Sequence, residues 1–259
     1  MHTYTDLTRV GLLLVPIEVV AHEELRRLLP EDILFGHQRV QFEETDSSVN
    51  REAALESLTD ALRTLHRMRP KAVAFACTSG GSFAGAKWHE LLLEHLRAVD
   101  PDIDFFTAAD AVARTLIQHD LRRIAMGTPY SPPVLAGLTE ILTSRGIEVR
   151  SAAALFPDGP PADPWDLMTT TPGRMYEFAQ EVDRRDVDCV FLSCTGLHTT
   201  PVIERIEERI GKPLLTSNIA IANVFLDALG RRGRQGFGRI LSARVGGAGS
   251  AVPAVRSAL

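Results

Sequence analysis

Short apolar runs alternate with amphipathic stretches along most of the chain. Residues 9–16 carry a continuous apolar run from Val10 to Val15 and read as a buried strand. Residues 22–29 have the spacing of a helix. Val40 and Phe42 are expected in a short second strand. The clearest helix spans residues 50–66, where Ala54, Leu55, Leu58, Leu62 and Leu65 fall on one stripe. A buried strand follows at 71–76, then a helix at 84–96, a strand at 103–106 and a helix at 108–118. The alternation continues through 123–127, 133–144, 147–153, 174–183, 189–193, 201–210, 213–215 and 220–229. Helices placed between successive strands imply an α/β fold with parallel sheets flanked by helices.

The pattern also repeats. Residues 10–16 match 123–129, setting Pro16 on Pro129. Residues 73–78 match 190–195, setting Cys77-Thr78 on Cys194-Thr195. Phe105-Phe106-Thr107-Ala108-Ala109 resembles Leu214-Leu215-Thr216-Ser217-Asn218. The separations are 113, 117 and 109 positions (129 − 16, 194 − 77 and 214 − 105). One apolar strand match is chance, but three in chain order, one with a Cys-Thr pair, indicate two copies of one α/β unit. We therefore expect two pseudo-symmetric lobes with a site between them. The first covers residues 1–118 and is completed by 217–241, the second covers 119–216, and 242–259 form a tail. Pro157, Pro160, Pro161 and Pro164 mark residues 156–171 as a loop or lid. Gly246, Gly247 and Gly249 mark the tail as partly mobile.

Composition narrows the function. In 259 residues, 45% are hydrophobic, 24% are charged and the net charge is −5, which is ordinary for a globular protein. No basic surplus suggests a nucleic-acid partner; Arg231-Arg232-Gly233-Arg234 reads as a solvated helix end. No apolar run reaches the roughly 20 residues of a membrane helix, and no signal peptide is read, so no membrane partner is expected. Three cysteines make no disulfide framework, and a cytoplasmic location is expected. Homo-oligomer formation is compatible with the sequence.

Candidate chemistry sits at two strand ends. Cys77-Thr78-Ser79-Gly80-Gly81 follows a buried strand and leads into a helix, and Cys194-Thr195-Gly196 stands at the equivalent point of the second copy. Such ends present backbone N–H groups, hold carboxylates and favour thiolates, and the glycines let a ligand approach the backbone. A single cysteine is more often a small core residue, which is the reading for Cys189, but two at matching positions of a repeat point to function. Tyr130, after Thr128-Pro129, would bring a phenol to the same edge, and His198 could line it. Thr200-Pro201 reads as a helix start with Thr200 as cap. Gly80 and Gly85 have the spacing of a phosphate loop, but Ala86 stands where its lysine is required. Gly233, Gly236 and Gly238 lack the helix a dinucleotide fingerprint opens. The eight histidines show no metal-binding spacing, so neither metal nor cofactor is expected.

Together, residues 75–80, 128–130, 191–195 and 215–218 resemble the aspartate/glutamate racemase superfamily, and within it the maleate cis–trans isomerase and arylmalonate decarboxylase branch. The likeness runs from about Val10 to Leu241. It implies a cofactor-independent isomerase or racemase of a small carboxylic acid, with the substrate between two lobes. Cys77 would be the nucleophile or one acid/base, and Cys194 the opposing proton donor. Pro16, Thr78, Ser79, Gly80, Tyr130, Thr195 and Gly196 would surround the substrate. Decarboxylases of the branch keep only the second cysteine, so the pair favours isomerase or racemase; a decarboxylase using Cys194 is the alternative. A non-catalytic acid-binding protein would need neither thiol. The sequence departs from the maleate isomerases after Pro16: they carry Ser-Ser-Asn-Thr, with the Asn on a substrate carboxylate, whereas Ile17-Glu18-Val19-Val20 stand here. Glu18 would repel an acid if it faced inward.

Overall fold

In a computed structural model that describes residues 7–42 and 48–243, the two copies of the repeat form two separate four-stranded sheets. The first copy runs β1 (Thr8–Leu14), α1 (Val20–Leu28), β2 (Ile33–Arg39), α2 (Ser48–His66), β3 (Ala72–Phe75), α3 (Thr78–Ser82), α4 (Gly85–Val99), β4 (Asp104–Thr107) and α5 (Ala108–Gln118). The second runs β5 (Arg123–Thr128), α6 (Pro132–Ser144), β6 (Glu148–Ala154), α7 (Trp165–Met168), α8 (Pro172–Val182) and β7 (Cys189–Leu192). A 3-10 turn (Thr200–Val202) leads into α9 (Ile203–Ile210), β8 (Leu214–Thr216), α10 (Ser217–Ala228) and α11 (Gly238–Ser242). The strand orders are β2-β1-β3-β4 and β6-β5-β7-β8, and every pair is parallel. The three repeat matches thus put β1 on β5, β3 on β7 and β4 on β8, each at the same sheet position.

Strand periodicity divides the core. On β1 and β3, Val10, Leu12, Leu14, Ala72 and Ala74 turn one way, into a cluster that also takes in Phe106, Phe191 and Phe225. Leu13, Val73 and Phe75 turn the other way, onto the apolar stripe of α2 and α4. Helix α10 follows a strand of the second sheet, yet packs against α5 and α1, and Phe225 meets Phe106 edge to face at 5.2 Å. A buried charge cluster also ties elements of the two copies together. Asp110 of α5 is bonded by Arg145, just past α6, at 2.6 Å, and Arg97 and Arg114 lie 3.6 Å away. Burial works to raise the Asp110 carboxyl, but Arg145, Arg114 and Arg97 outweigh it and hold it below the usual range.

Some expectations need correction. The second strand is Ile33–Arg39, and Val40 and Phe42 lie beyond its end. As an edge strand paired only with β1, it presents Gly36, His37, Gln38 and Arg39 instead of an apolar run, so hydrophobicity placed it too late. The proline-rich segment contains the short helix α7. Thr200 starts a turn, but its hydroxyl finds no partner among the described residues. Of the tail, residues 244–259 lie outside the described residues.

Candidate active site

The two cysteines leave equivalent strands. All four residues of β3 and all four of β7 are buried, and burial continues past their carboxyl ends, where Cys77 and Cys194 stand 6% and 8% exposed. Cys77 occupies the cap position of α3, and its Sγ accepts the Gly80 N–H at 3.3 Å, with Ser79 Oγ at 3.5 Å. Cys194 Sγ accepts the Gly196 N–H at 3.4 Å. An N–H donated to sulfur stabilises a thiolate more than a thiol. Backbone approach explains both glycines. A Cβ at Gly80 would lie 3.0 Å from Cys77 Sγ and 2.9 Å from the Phe75 ring, and one at Gly196 would lie 2.6 Å from Met168 Cε. Helix α7, in the predicted lid, therefore rests on the second cysteine turn. Cys194 itself has φ of 144°, a conformation costly for any residue with a side chain and one that clusters at functional sites.

Hydrogen bonds join the two turns. Thr78 Oγ1 donates to Ser217 Oγ at 2.9 Å, and the Cys194 N–H donates to the same oxygen at 3.2 Å. Thr195 Oγ1 lies 3.1 Å from Ala76 O, the residue before Cys77. Tyr130 follows β5, and its hydroxyl oxygen is buried with no hydrogen-bond partner among the described residues. Burial first, and then the Cys194 sulfur beside it, push the phenol well above its usual range. The Ser193 and Thr78 hydroxyls oppose this from nearby without reaching bonding geometry. That leaves one buried O–H donor unspent beside the two cysteine turns.

Of the residues singled out from sequence, Cys77, Thr78, Ser79, Gly80, Tyr130, Cys194, Thr195 and Gly196 gather at this edge. Pro16 is exposed at the end of β1, and its carbonyl accepts from Arg39. His198 is half-buried, and Cys189 is fully buried with its thiol pushed up by burial, as a core residue should be. Glu18 does face inward. It is 2% exposed and bonded to Thr195, while Val19 is 43% exposed.

Four further polar residues were missed. Ser217 bridges the two cysteine turns, and Ser193 Oγ lies buried with no partner among the described residues. Glu24 of α1 accepts the N–H groups of Thr199 and Thr200 at 2.6 and 2.7 Å and Asn218 Nδ2 at 2.9 Å; that amide also donates to Thr195 O at 2.9 Å. The polar triplet Thr216-Ser217-Asn218 at a strand end was a usable signal for two of them. Glu24 gave none, because a carboxylate on an amphipathic helix reads as solvated. Among the described residues no group of three or more His, Cys, Asp or Glu side chains could hold a metal ion, and no helix is long and apolar enough to cross a membrane.

The chain matches the arylmalonate decarboxylase family over residues 10–241. It is 25% identical over 241 residues to a maleate isomerase of Pseudomonas putida, covering 87% of this chain and 93% of that one. It is 28% identical over 198 residues to an arylmalonate decarboxylase of Bordetella bronchiseptica, covering 73% and 78%. Its fold superposes on a Pseudomonas putida maleate isomerase crystallised with maleate, with a TM-score of 0.81 at 21% identity over 92% of this chain and 98% of that one. A Nocardia farcinica maleate cis–trans isomerase carrying a covalently bound succinylcysteine intermediate superposes with a TM-score of 0.78 at 21% identity, over 91% and 98%. By its match over residues 10–241, the chain belongs to the arylmalonate decarboxylase family.

Proposed function

We propose that this chain is a cofactor-independent, maleate isomerase-like enzyme that isomerises or racemises a small carboxylic acid with Cys77 and Cys194. The observation that carries the reading is the pair of cysteines at equivalent ends of β3 and β7, each sulfur accepting a glycine N–H, joined through Ser217. In this reading the lobes are residues 1–118 with 217–241, and residues 119–216. Tyr130 Oη donates to the substrate carboxylate, and Thr78, Ser79, Gly80, Thr195 and Gly196 line its surroundings, with Pro16 at the rim.

Two chemistries suit two thiols. In one, the Cys77 thiolate adds to a double bond conjugated with the carboxylate. A C–S bond forms, the electron pair moves to the neighbouring carbon, and Cys194 protonates that carbon. Rotation about the new single bond, return of the proton to Cys194 and expulsion of the thiolate give the other geometric isomer. In the other chemistry, one thiolate takes the proton beside the carboxylate while the opposite thiol delivers one to the other face. Each needs one thiolate and one thiol. A free cysteine with a pKa near 8.5 is about 1.5 units from that balance at neutral pH, or ~2 kcal/mol, a gap that directed N–H groups narrow. Relatedness to the arylmalonate decarboxylases supports a second reading, decarboxylation with Cys194 as proton donor.

The test is a panel of small unsaturated, α-substituted and malonate-type acids incubated with the protein in heavy water and followed by proton NMR. Isomer interconversion or deuterium uptake at one carbon is expected. Loss of carbon dioxide as the only reaction would favour the second reading, and no reaction of any acid would remove both.

A further inference from the structure

The start of a helix is a ready anion site, because its first N–H groups lack partners within the helix. At α1 that site is filled from within. Glu18 curls forward, and its Oε1 accepts the N–H groups of Val20 at 2.7 Å and Ala21 at 2.9 Å. Its Oε2 lies 2.8 Å from Thr195 Oγ1, which is itself 3.1 Å from Ala76 O. Thr195 follows Cys194 and Ala76 precedes Cys77, so this carboxyl sits where the two cysteine turns meet.

Hydrogen counting is consistent with a neutral acid. The Thr195 hydroxyl has one proton and two acceptors around it. Both are satisfied if Glu18 is a neutral acid that donates from Oε2 to Thr195, while Thr195 donates to Ala76 O. Burial acts in the same direction and raises the carboxyl, against opposition from the Ala21, Thr195 and Val20 bonds and from Arg39. The charged or titratable groups on the elements packed around it are already occupied or distant in role. Arg39 of β2 spends Nη1 on the carbonyls of Val15, Pro16 and Glu18. Glu24 of α1 is bound by Thr199, Thr200 and Asn218. His22 of α1 lies beside Glu23 and stacks near His37 of β2, Arg26 and Arg27 stand in the last turn of α1, and the two cysteine turns add their thiols.

We infer that Glu18 determines the substrate class: it fills the α1 end of the two-cysteine cleft, so the substrate carries one carboxylate, held at Tyr130, and an uncharged group toward α1. This rests on the acid-handling reading above. A second carboxylate would find the α1 donors taken and would face a carboxyl oxygen, and if Glu18 ionised it would also face a like charge.

The experiment compares binding of propionate and succinate, unreactive acids with one and two carboxylates, to wild type, Glu18→Ala and Glu18→Gln by ligand-observed NMR. Protection of the cysteines from iodoacetamide is measured alongside. Wild type is expected to bind propionate roughly tenfold more tightly than succinate, Glu18→Gln to keep that order, and Glu18→Ala to gain about tenfold for succinate, the size of one hydrogen bond to a charged group. Equal binding of the two acids by wild type, or a preference for succinate, overturns the inference even if Glu18→Ala does not fold. An unchanged order in a folded Glu18→Ala does the same. If neither acid binds or protects a cysteine, the acid-handling reading fails and takes the inference with it.

Discussion

At the scale of single residues, the cysteine turns separate hydroxyls spent on the fold from hydroxyls that find no partner among the described residues. Thr78, Thr195 and Ser217 hydroxyls bond across the cysteine turns, whereas the Tyr130 hydroxyl bonds nothing among the described residues. Tyr130→Phe therefore removes no internal hydrogen bond. Its urea unfolding free energy should stay within about 1 kcal/mol of wild type, while affinity for a small acid falls about tenfold. Loss of stability without loss of affinity would show that the phenol serves the fold. Cys77 and Cys194 stand out in the sequence because the repeat puts them at matching strand ends, and Tyr130 because it follows the strand end Thr128-Pro129. Glu18 was legible as a departure, but not its orientation: a lone carboxylate reads as solvated, and only Thr195, 177 positions away, reveals it as buried.

Elements were legible where their strands carry a regular apolar run or alternation. The central strands β1, β3, β5 and β7 are buried on both faces, and their apolar runs show it. The edge strand β2 is half-exposed and was misplaced. The segment after β7 is held less by its own sequence than by Glu24, which reaches from α1 to the N–H groups of Thr199 and Thr200 and to Asn218. Deleting that carboxylate leaves buried donors without an acceptor. Glu24→Ala should cost about 3 kcal/mol in urea unfolding and loosen the turn that carries Cys194, seen as faster amide exchange at residues 195–200. A cost near zero would mean that the segment holds its own shape.

The whole molecule depends on contacts between the two copies of the repeat, which no local pattern reveals. Asp110 with Arg145, Arg97 and Arg114 is the most charged of these. Its carboxyl is held below the usual range, so it adds stability that is complete above the ordinary aspartate value near 3.9 and is lost as pH falls through the depressed value. Asp110→Asn should lose about 3–5 kcal/mol at neutral pH and flatten the acid limb of stability against pH. If the variant keeps the wild-type acid limb, the cluster does not link folding to protonation. The repeat, the parallel sheets and the strand-end cysteines were readable in one sequence, while the bonds that bring the two ends together were not, because they join residues more than 100 positions apart, as Thr78–Ser217 and Ala76–Thr195 do.

The central claim is that two thiols act on one acid, and the most direct measurement follows wild type, Cys77→Ser and Cys194→Ser in heavy water with the acid found to react. Turnover and deuterium incorporation are recorded together. Both variants should lose turnover by about 10²–10⁴, the range of a positioned acid or base. If the thiols act as opposed bases, Cys77→Ser should still exchange a substrate proton through Cys194. If Cys77 adds to a double bond, that exchange should disappear as well. Near-wild-type turnover in both variants would contradict the account.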